Sequence, residues 1–372
     1  MFLTFFSKNQ NITSVSFEEL MKNPFAKPTK TNPTTSKVTV KINDDYGQRL
    51  YNKNKSKFEL PNHDHDSIMN LKTEDHYKHF EIPKKSDPSK KRPIDAPDPL
   101  LKNYQSIFKI FIEDILHVLP HNAAHAYVEN RSTVTAMQKH YDNKSKWFLQ
   151  IDLKNFFNSI TEEFLNRMLY EVYPFRYIDD NTYKEMVHLA FLNNELPQGS
   201  VLSPTLTNLI MVPIDYQIAH LLTDLNKHHY VYTRYADDIT ISCKQKFDPK
   251  EIIAIIESVF NFYNVPFHIN NDKTRFGNTS GRNYHLGIII NNHGDNKRGQ
   301  LSIGHEKNKK FRAMLFNFCT TGQEWDKQSV QRMLGLISYY RSIERPFIDK
   351  TIAKYNEKFN MDIMKTAKEM IK

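Results

Sequence analysis

Cysteine is scarce in this sequence: Cys243 and Cys319 are the only two among 372 residues. Two thiols offer neither a metal-ligand spacing nor a disulfide framework, and a reducing, cytoplasmic setting is the expectation. Long apolar runs are also missing, and none approaches the ~20 residues that span a bilayer. The opening stretch, MFLTFFSKNQ, has no basic segment, and its apolar run is too short for a secretory signal. No internal repeat is visible. These absences exclude membrane proteins, repeat arrays and disulfide scaffolds, and no membrane partner is expected.

Aromatic residues and positive charge are plentiful. There are 25 Phe and 19 Tyr, and Lys plus Arg total 51 against 42 acidic residues, a net charge of +9. A basic, aromatic-rich chain suits a polyanionic partner, nucleic acid first, whose bases stack on rings. The length fits two or three domains.

Residues 1–74 have little apolar periodicity. They read as a partly flexible N-terminal extension, or as an arm that orders on RNA. Asn62-His63-Asp64-His65-Asp66 reads as a polar linker. The segment EIPKKSDPSKKRPIDAP predicts a hairpin, because Ser-Asp-Pro-Ser separates two extended runs. LLKNYQSIFKIFIEDILHVL has helical spacing, and WFLQID is a short buried strand. Ser159-Ile-Thr-Glu162 predicts a capping box opening a helix. Ser203-Pro204 predicts a cap followed by proline at the first helical position. YVYTRYADDITISC reads as strand, turn and strand, with Val231, Thr233 and Tyr235 on one face. Residues 250–264 are an amphipathic helix, HLGIIIN is a strand, and the chain is helical from about 306 onward.

Asp237 and Asp238 sit at the tip of that hairpin. Adjacent like charges there cost energy unless a cation neutralises them, and hard divalent ions prefer carboxylate oxygens. A bare Asp-Asp pair is usually just a turn. Asp152 ends another apolar strand, however. A carboxylate there, facing a second pair on a neighbouring hairpin, suits a two-metal phosphoryl-transfer site.

Tyr235-Ala236-Asp237-Asp238 resembles the YxDD box of reverse transcriptases. IDLKNFFNSI resembles their first catalytic-aspartate box, and LPQGSVLSPTLTN the LPQG…SP box between the two. All three occur in order, with the aspartates 85 residues apart. The resemblance runs over roughly residues 78–345. It implies an α+β right-hand polymerase with fingers, an antiparallel palm sheet and a helical thumb. By this likeness residues 75–300 are fingers and palm, and 301–372 the thumb. It implies Asp152, Asp237 and Asp238 as catalytic residues, holding two Mg²⁺ ions (Mn²⁺ as the alternative) together with the backbone of Leu153. IPKKSDPSKKRPIDAP resembles the fingers hairpin, with Lys85 and Arg92 on the incoming triphosphate, where Arg binds phosphate bidentately.

Further boxes imply Arg131 near template or substrate, Gln198 near the nucleotide, and Tyr235 against nucleic acid. Phe157 stands where the family keeps an aromatic gate that clashes with a ribose 2′-hydroxyl, although the sequence does not separate it from Phe156. Lys273 in INNDKTRF would meet the departing pyrophosphate. YHLGIIINNHG resembles the primer-grip strand pair. In the thumb, Arg332, Arg341 and Arg345 could follow a backbone; Tyr339 and Tyr340 fit core or stacking equally.

The 134 residues after Asp238 contain no second acidic constellation of the RNase H kind and no zinc-type nuclease spacing. A compact unit of this sort resembles retron and related defence reverse transcriptases. That likeness implies a structured non-coding RNA as template, in some cases also as primer, with dNTPs, a DNA product and an effector protein as further partners, in antiphage defence. Two departures from the retron pattern stand out. Ala136-Met137-Gln138-Lys139-His140 keeps only the His of NAxxH, and His285-Leu286-Gly287 keeps only the Gly of VTG. A retron enzyme and another defence reverse transcriptase are therefore both open. A template-independent or protein-primed DNA polymerase, and a non-catalytic RNA-binding scaffold, are the alternatives.

Overall fold

The computed structural model describes residues 65–372, apart from 85–86, 116–117, 173–174, 176–177, 179, 226–228, 280–283 and 292–300. Residues 1–64, most of the expected extension, lie outside the described residues, as does Lys85. The segment read as a linker is in part a helix, α1 (His65–Met69). Its Ile68 is fully buried in the main core, and His65 Nδ1 meets Glu185 Oε1 at 2.8 Å. The apolar side chain, not the polar run before it, decides the local structure.

Strands β1 (Tyr77–Lys84) and β2 (Asp87–Pro97) form the expected antiparallel hairpin, with Phe80 opposite Ile94 and Ile82 opposite Arg92. Helix α2 (Pro99–Ile110) follows, and its last residues run into a π-helical turn, Phe111–Ile115. Asp98 caps α2 by accepting from Leu101 N at 2.9 Å, with proline at the first position. Helix α3 (Thr133–Asp142) precedes β3 (Trp147–Lys154), and α4 (Glu162–Tyr170) and α5 (Asp180–Ala190) come next.

The start of α4 differs from the predicted capping box. Asn155 has φ 56°, and Ser159 N still bonds Asn155 O within that turn, so the cap falls on Thr161, which accepts from Phe164 N. Helix α6 (Leu202–Asp224) also starts earlier than expected, which places Ser203 inside its first turn. Its free N–H groups are met elsewhere: Val201 N donates to Gln105 Oε1 and Leu202 N to Ser200 Oγ. With those donors satisfied, Ser203 is not needed as a cap. Buried residues surround most of α6, as expected of a helix at the centre of a core.

The palm sheet orders β4 (Val231–Tyr235), β5 (Asp238–Cys243), β3 and β6 (His268–Ile269), and β7 (Arg275–Asn278) also pairs with β3. All of its ladders are antiparallel. Along β3 the side chains alternate faces. Leu149, Ile151 and Leu153 enter the main core with α2, α4, α6 and α7 (Pro249–Phe262), and Phe148 enters a second core. Asp152 shares the face of Phe148 and is thereby turned away from the main core. This alternation is what presents the carboxylate.

The second core joins α3 to a small sheet of β8 (Tyr284–His285), β9 (Ile288–Ile290) and β10 (Leu301–Ser302), and to helices α8 (His305–Thr321), α9 (Lys327–Phe359) and α10 (Ile363–Ile371). HLGIIIN is thus two short strands turning at Leu286-Gly287, both at positive φ. Helix α9 breaks its geometry at Glu344 (φ −140°, ψ 54°), two residues before Pro346. The buried Glu344 carboxylate accepts from Ser302 Oγ at 2.8 Å and from Ile303 N at 3.3 Å. Hairpin, antiparallel sheet and terminal helices make up the α+β right-hand architecture. Among the described residues no helix is long and apolar enough to cross a membrane.

Candidate active site

Asp152 and Asp238 face each other directly across the β3–β5 ladder, so their side chains leave the same face of the sheet. Asp237 lies in the turn beside them and its carbonyl accepts from Leu153 N at 2.9 Å. The turn is strained, with Ala236 buried at φ 57°. The carboxylates feel one another. Asp238 is pushed up to about 6 by burial first, then by the charges of Asp237 and Asp152. Asp237 is raised by burial and by Asp152, against the pull of Arg92 and Lys273. Carboxylates crowded in this way attract a cation.

No three His, Cys, Asp or Glu side chains among the described residues are gathered tightly enough to hold one ion. Lys273 instead neutralises Asp152, its Nζ lying 2.7 Å and 3.0 Å from the two carboxylate oxygens. Asn270 Nδ2 adds a bond to Asp152 Oδ2 at 3.0 Å, and Asn270 N bonds the Asp152 carbonyl at 2.8 Å. The side chain of Leu153 is core, 2% exposed, so its backbone carbonyl is the only oxygen it offers.

Beside this turn opens a cleft of about 180 Å³, lined by Arg92, Tyr127, Phe157, Gln198, Gly199 and Asp237, among others. The structure thus brings Arg92, Phe157, Gln198 and Asp237 together from four separate segments. It also separates the two phenylalanines. Phe156 is 3% exposed and packs on Phe267 at 5.1 Å, whereas Phe157 faces the cleft. Gln198 donates to Asn158 Oδ1 at 3.3 Å, and its carbonyl accepts from Asp95 N at 2.8 Å. Gly199 has φ +127°, and a Cβ there would lie 2.5 Å from the Asp95 carbonyl oxygen. The fingers hairpin therefore crosses the Gln198-Gly199 backbone where only glycine fits.

Other candidates are engaged elsewhere. Arg131 Nη1 donates to the carbonyls of His121 and Ala124 at 2.8 and 2.7 Å, which fastens its own loop. Arg341 pairs with Asp349 at 2.7 Å, and Arg345 reaches the same carboxylate at 3.4 Å. Arg332 is exposed on α9. Tyr340 is core, Tyr339 is 39% exposed, and half-buried Tyr235 is near enough to Tyr339 for its hydroxyl to be raised by burial and by that ring.

Sequence reasoning missed the support beneath the turn. Arg234 is fully buried and holds Asp215 of α6 with Nε at 2.9 Å and Nη2 at 2.7 Å. Its Nη1 reaches Asn208 Oδ1 and the carbonyl of Ala236, both at 3.2 Å, and Tyr232 Oη donates to Asp215 Oδ1 at 2.6 Å. Burial disfavours the Arg234 charge, but Asp215 more than offsets it. A lone Arg inside an apolar strand was the available signal, since a buried charge requires a partner. Tyr127 and Asn270 were missed as well. His140, the residue kept from the NAxxH pattern, sits between Ser242 Oγ at 2.6 Å and Thr233 Oγ1 at 2.7 Å, fully buried.

The family model described as reverse transcriptase (RNA-dependent DNA polymerase) matches residues 82–314, well over half of the chain. The chain belongs to the reverse transcriptase family. It is an RNA-directed DNA polymerase, and an RNA template is its partner. Among curated relatives it is 26% identical to the retron Ec83 reverse transcriptase of Escherichia coli over 79% of this chain and 91% of that protein. It is 29% identical to the E. coli retron Ec73 reverse transcriptase over 74% and 87%. The retron Mx162 reverse transcriptase of Myxococcus xanthus is 25% identical over 72% and 58%. A solved Candida albicans telomerase is 12% identical with a TM-score of 0.43; the match covers 84% of this reverse transcriptase and 59% of the telomerase chain. Reverse transcriptases as a family use divalent metal ions.

Proposed function

We propose that this reverse transcriptase copies a structured non-coding RNA into cDNA in antiphage defence, in the cytoplasm, with Asp152, Asp237 and Asp238 holding its two Mg²⁺ ions. The observation that carries the site is the β3–β5 register, which sets Asp152 opposite Asp238 next to a cleft edged by Arg92. The Leu153 carbonyl completes the oxygen donor set, which suits a hard divalent cation. When bound, the ions supply charge neutralisation for the attacking and leaving oxygens.

The protein groups do the rest. Arg92, joined by Lys85, clamps the triphosphate. Gln198, steadied by Asn158, contacts the nucleotide, and Phe157 abuts the sugar and rejects a 2′-hydroxyl. The primer 3′-oxygen bonds to the α-phosphorus as the bond to pyrophosphate breaks, and the 3′-hydroxyl proton passes to water. Lys273, held on Asp152 in the free chain, passes to the departing pyrophosphate in this reading. We assign residues 75–300 to fingers and palm and 301–372 to the thumb. Tyr235, Arg131, Arg332 and Arg341 belong to the nucleic-acid path in this reading, although Arg131 and Arg341 first have protein partners to leave.

The likeness to retron enzymes over most of their length supports an RNA partner encoded beside the gene. The test is primer extension on a heteropolymeric RNA with Mg²⁺, for wild type and Asp237→Asn, with sequencing of the RNA and cDNA that co-purify. The expected results are template-faithful product, its loss in the variant with RNA still bound, and one structured RNA recovered with its cDNA. Product unrelated to the template would favour the template-independent alternative. Equal synthesis by the variant would remove the metal assignment.

A further inference from the structure

We propose that Tyr127 is a specificity-determining positioning residue, a second aromatic wall that holds Phe157 against the sugar of the incoming nucleotide. The inference rests on the reading of Phe157 as the sugar gate and adds a residue to it.

Tyr127 adopts φ 58°. A bulky side chain in the left-handed region is strained, and such strain persists only where the surroundings enforce it. Here they do. His125 N donates to Arg234 O at 2.8 Å and Arg234 N to Ala123 O at 2.7 Å, which stitches the loop to β4. Asn208 Nδ2 of α6 donates to the Ala126 carbonyl at 2.8 Å, and Arg131 ties the carbonyls of His121 and Ala124. The loop is therefore fastened on both sides of Ala126, and the unusual φ at the next residue turns its ring outward.

The ring is not used for packing the core. It is 56% exposed although the chain just before it is firmly held. It lines the cleft together with Arg92, Phe157, Gln198 and Asp237. It meets Phe157 edge-on, with ring centroids 6.5 Å apart and planes at 76°. Phe156 also meets Phe157 edge-on, at 5.5 Å and 70°. Phe157 thus has two ring neighbours, one buried and one in the cleft. Although more than half of Tyr127 is exposed, partial desolvation and then the charges of Asp237 and Tyr235 raise its hydroxyl, so it lies within electrostatic range of the catalytic turn.

A gate works only if it cannot swing. Phe157 on its own could rotate about χ1 and let a 2′-hydroxyl in. An edge-to-face neighbour biases its rotamer, because such ring pairs are favourable beyond the area they bury. The ribose that must be rejected differs from deoxyribose by one hydroxyl, so small changes in wall position change the selectivity.

The experiment measures kcat/KM for one dNTP and its matching rNTP on an RNA template. Enzymes compared are wild type, Tyr127→Phe, Tyr127→Gly, Tyr127→Asn and Phe157→Ala. Gly and Asn both accept positive φ, so each removes the ring without adding backbone strain, and thermal melts check folding. Phe157→Ala should collapse dNTP-over-rNTP selectivity. Tyr127→Gly and Tyr127→Asn should lower it on the order of 10-fold, mainly by improving rNTP use. Tyr127→Phe should retain it within about threefold, since the ring edge is kept. A ring-less variant that folds and keeps wild-type selectivity, while Phe157→Ala loses it, would overturn the role of Tyr127 and leave the gate intact. Unchanged selectivity in Phe157→Ala would remove the gate itself, and this inference with it.

Discussion

Replacing Asp215 with alanine should unfold the palm far more readily than its position on α6, outside the acidic turn itself, suggests. The change leaves the Arg234 guanidinium without its counter-charge at a site with no solvent access. Three hydrogen bonds from Arg234 and one from Tyr232 end on that carboxylate. Truncating one partner of a buried pair costs ~3–5 kcal/mol. At about 2 °C per kcal/mol for a domain of this size, the melting temperature should fall by roughly 6–10 °C. Arg234 also supports the Ala236 carbonyl, so synthesis should drop more than the folded fraction does. The measurements are denaturant unfolding and primer extension at 20 °C, for Asp215→Ala, Asp215→Asn and the double replacement Asp215→Leu with Arg234→Met. The double variant should recover much of the stability, because well-packed apolar groups often replace a buried ion pair at little cost. It should not recover activity, because nothing then holds Ala236. A loss below ~1 kcal/mol for Asp215→Ala, or full activity in the double variant, would refute the reasoning.

Gly199→Ala should push the fingers hairpin off the Gln198 backbone, lowering kcat/KM for dNTPs by on the order of 10-fold or more with folding nearly intact, as steady-state kinetics and melts would report. His125 and His285 are buried and neutral, each lowered to about 4, by burial in both cases and by Lys139 and Arg131 as well for His125. Depressed histidines contribute stability that is complete above the unfolded value of ~6.5 and is lost as pH falls toward 4. Unfolding midpoints should therefore decline between pH 6.5 and 4.5, and His285→Phe should flatten that slope. Lys273→Ala should leave the Asp152 carboxylate without its ammonium partner, so the free protein should bind Mn²⁺ several-fold more tightly by electron paramagnetic resonance titration. Weaker binding would show that Lys273 does not compete for that carboxylate.

The acidic site was legible because its chemistry demands particular residues at strand ends. Asp152 and Asp238 follow the apolar alternation of β3 and β5, with Asp237 in the turn before β5, and the fold orients the pair as that alternation requires. The fingers hairpin was legible as two extended runs, although Asp87, Pro88 and Ser89, read as its turn, belong to β2. What the chain concealed depends on long-range partners. Arg234 finds Asp215 nineteen positions earlier on a helix, and no periodicity announces that pairing. Tyr127 matters through a positive φ that its residue type argues against. The cap of α6 went to Gln105, ninety-six residues away, so a local signal at Ser203 misled by position though not by element type. Asn270 was within a recognised motif, but its role depends on how the segment returns to β3.

The two facing aspartates owe their direction to neighbours that never touch substrate. Leu149, Ile151 and Leu153 point one way because water is excluded there, and Asp152 is obliged to point the other. Sliding β3 by a single residue would bury the acid and expose the leucines, a penalty of many methylene groups. Grease thus acts as the indexing pin for charge: substitutions on the oily side of that strand belong, in their consequences, to the chemistry on the other.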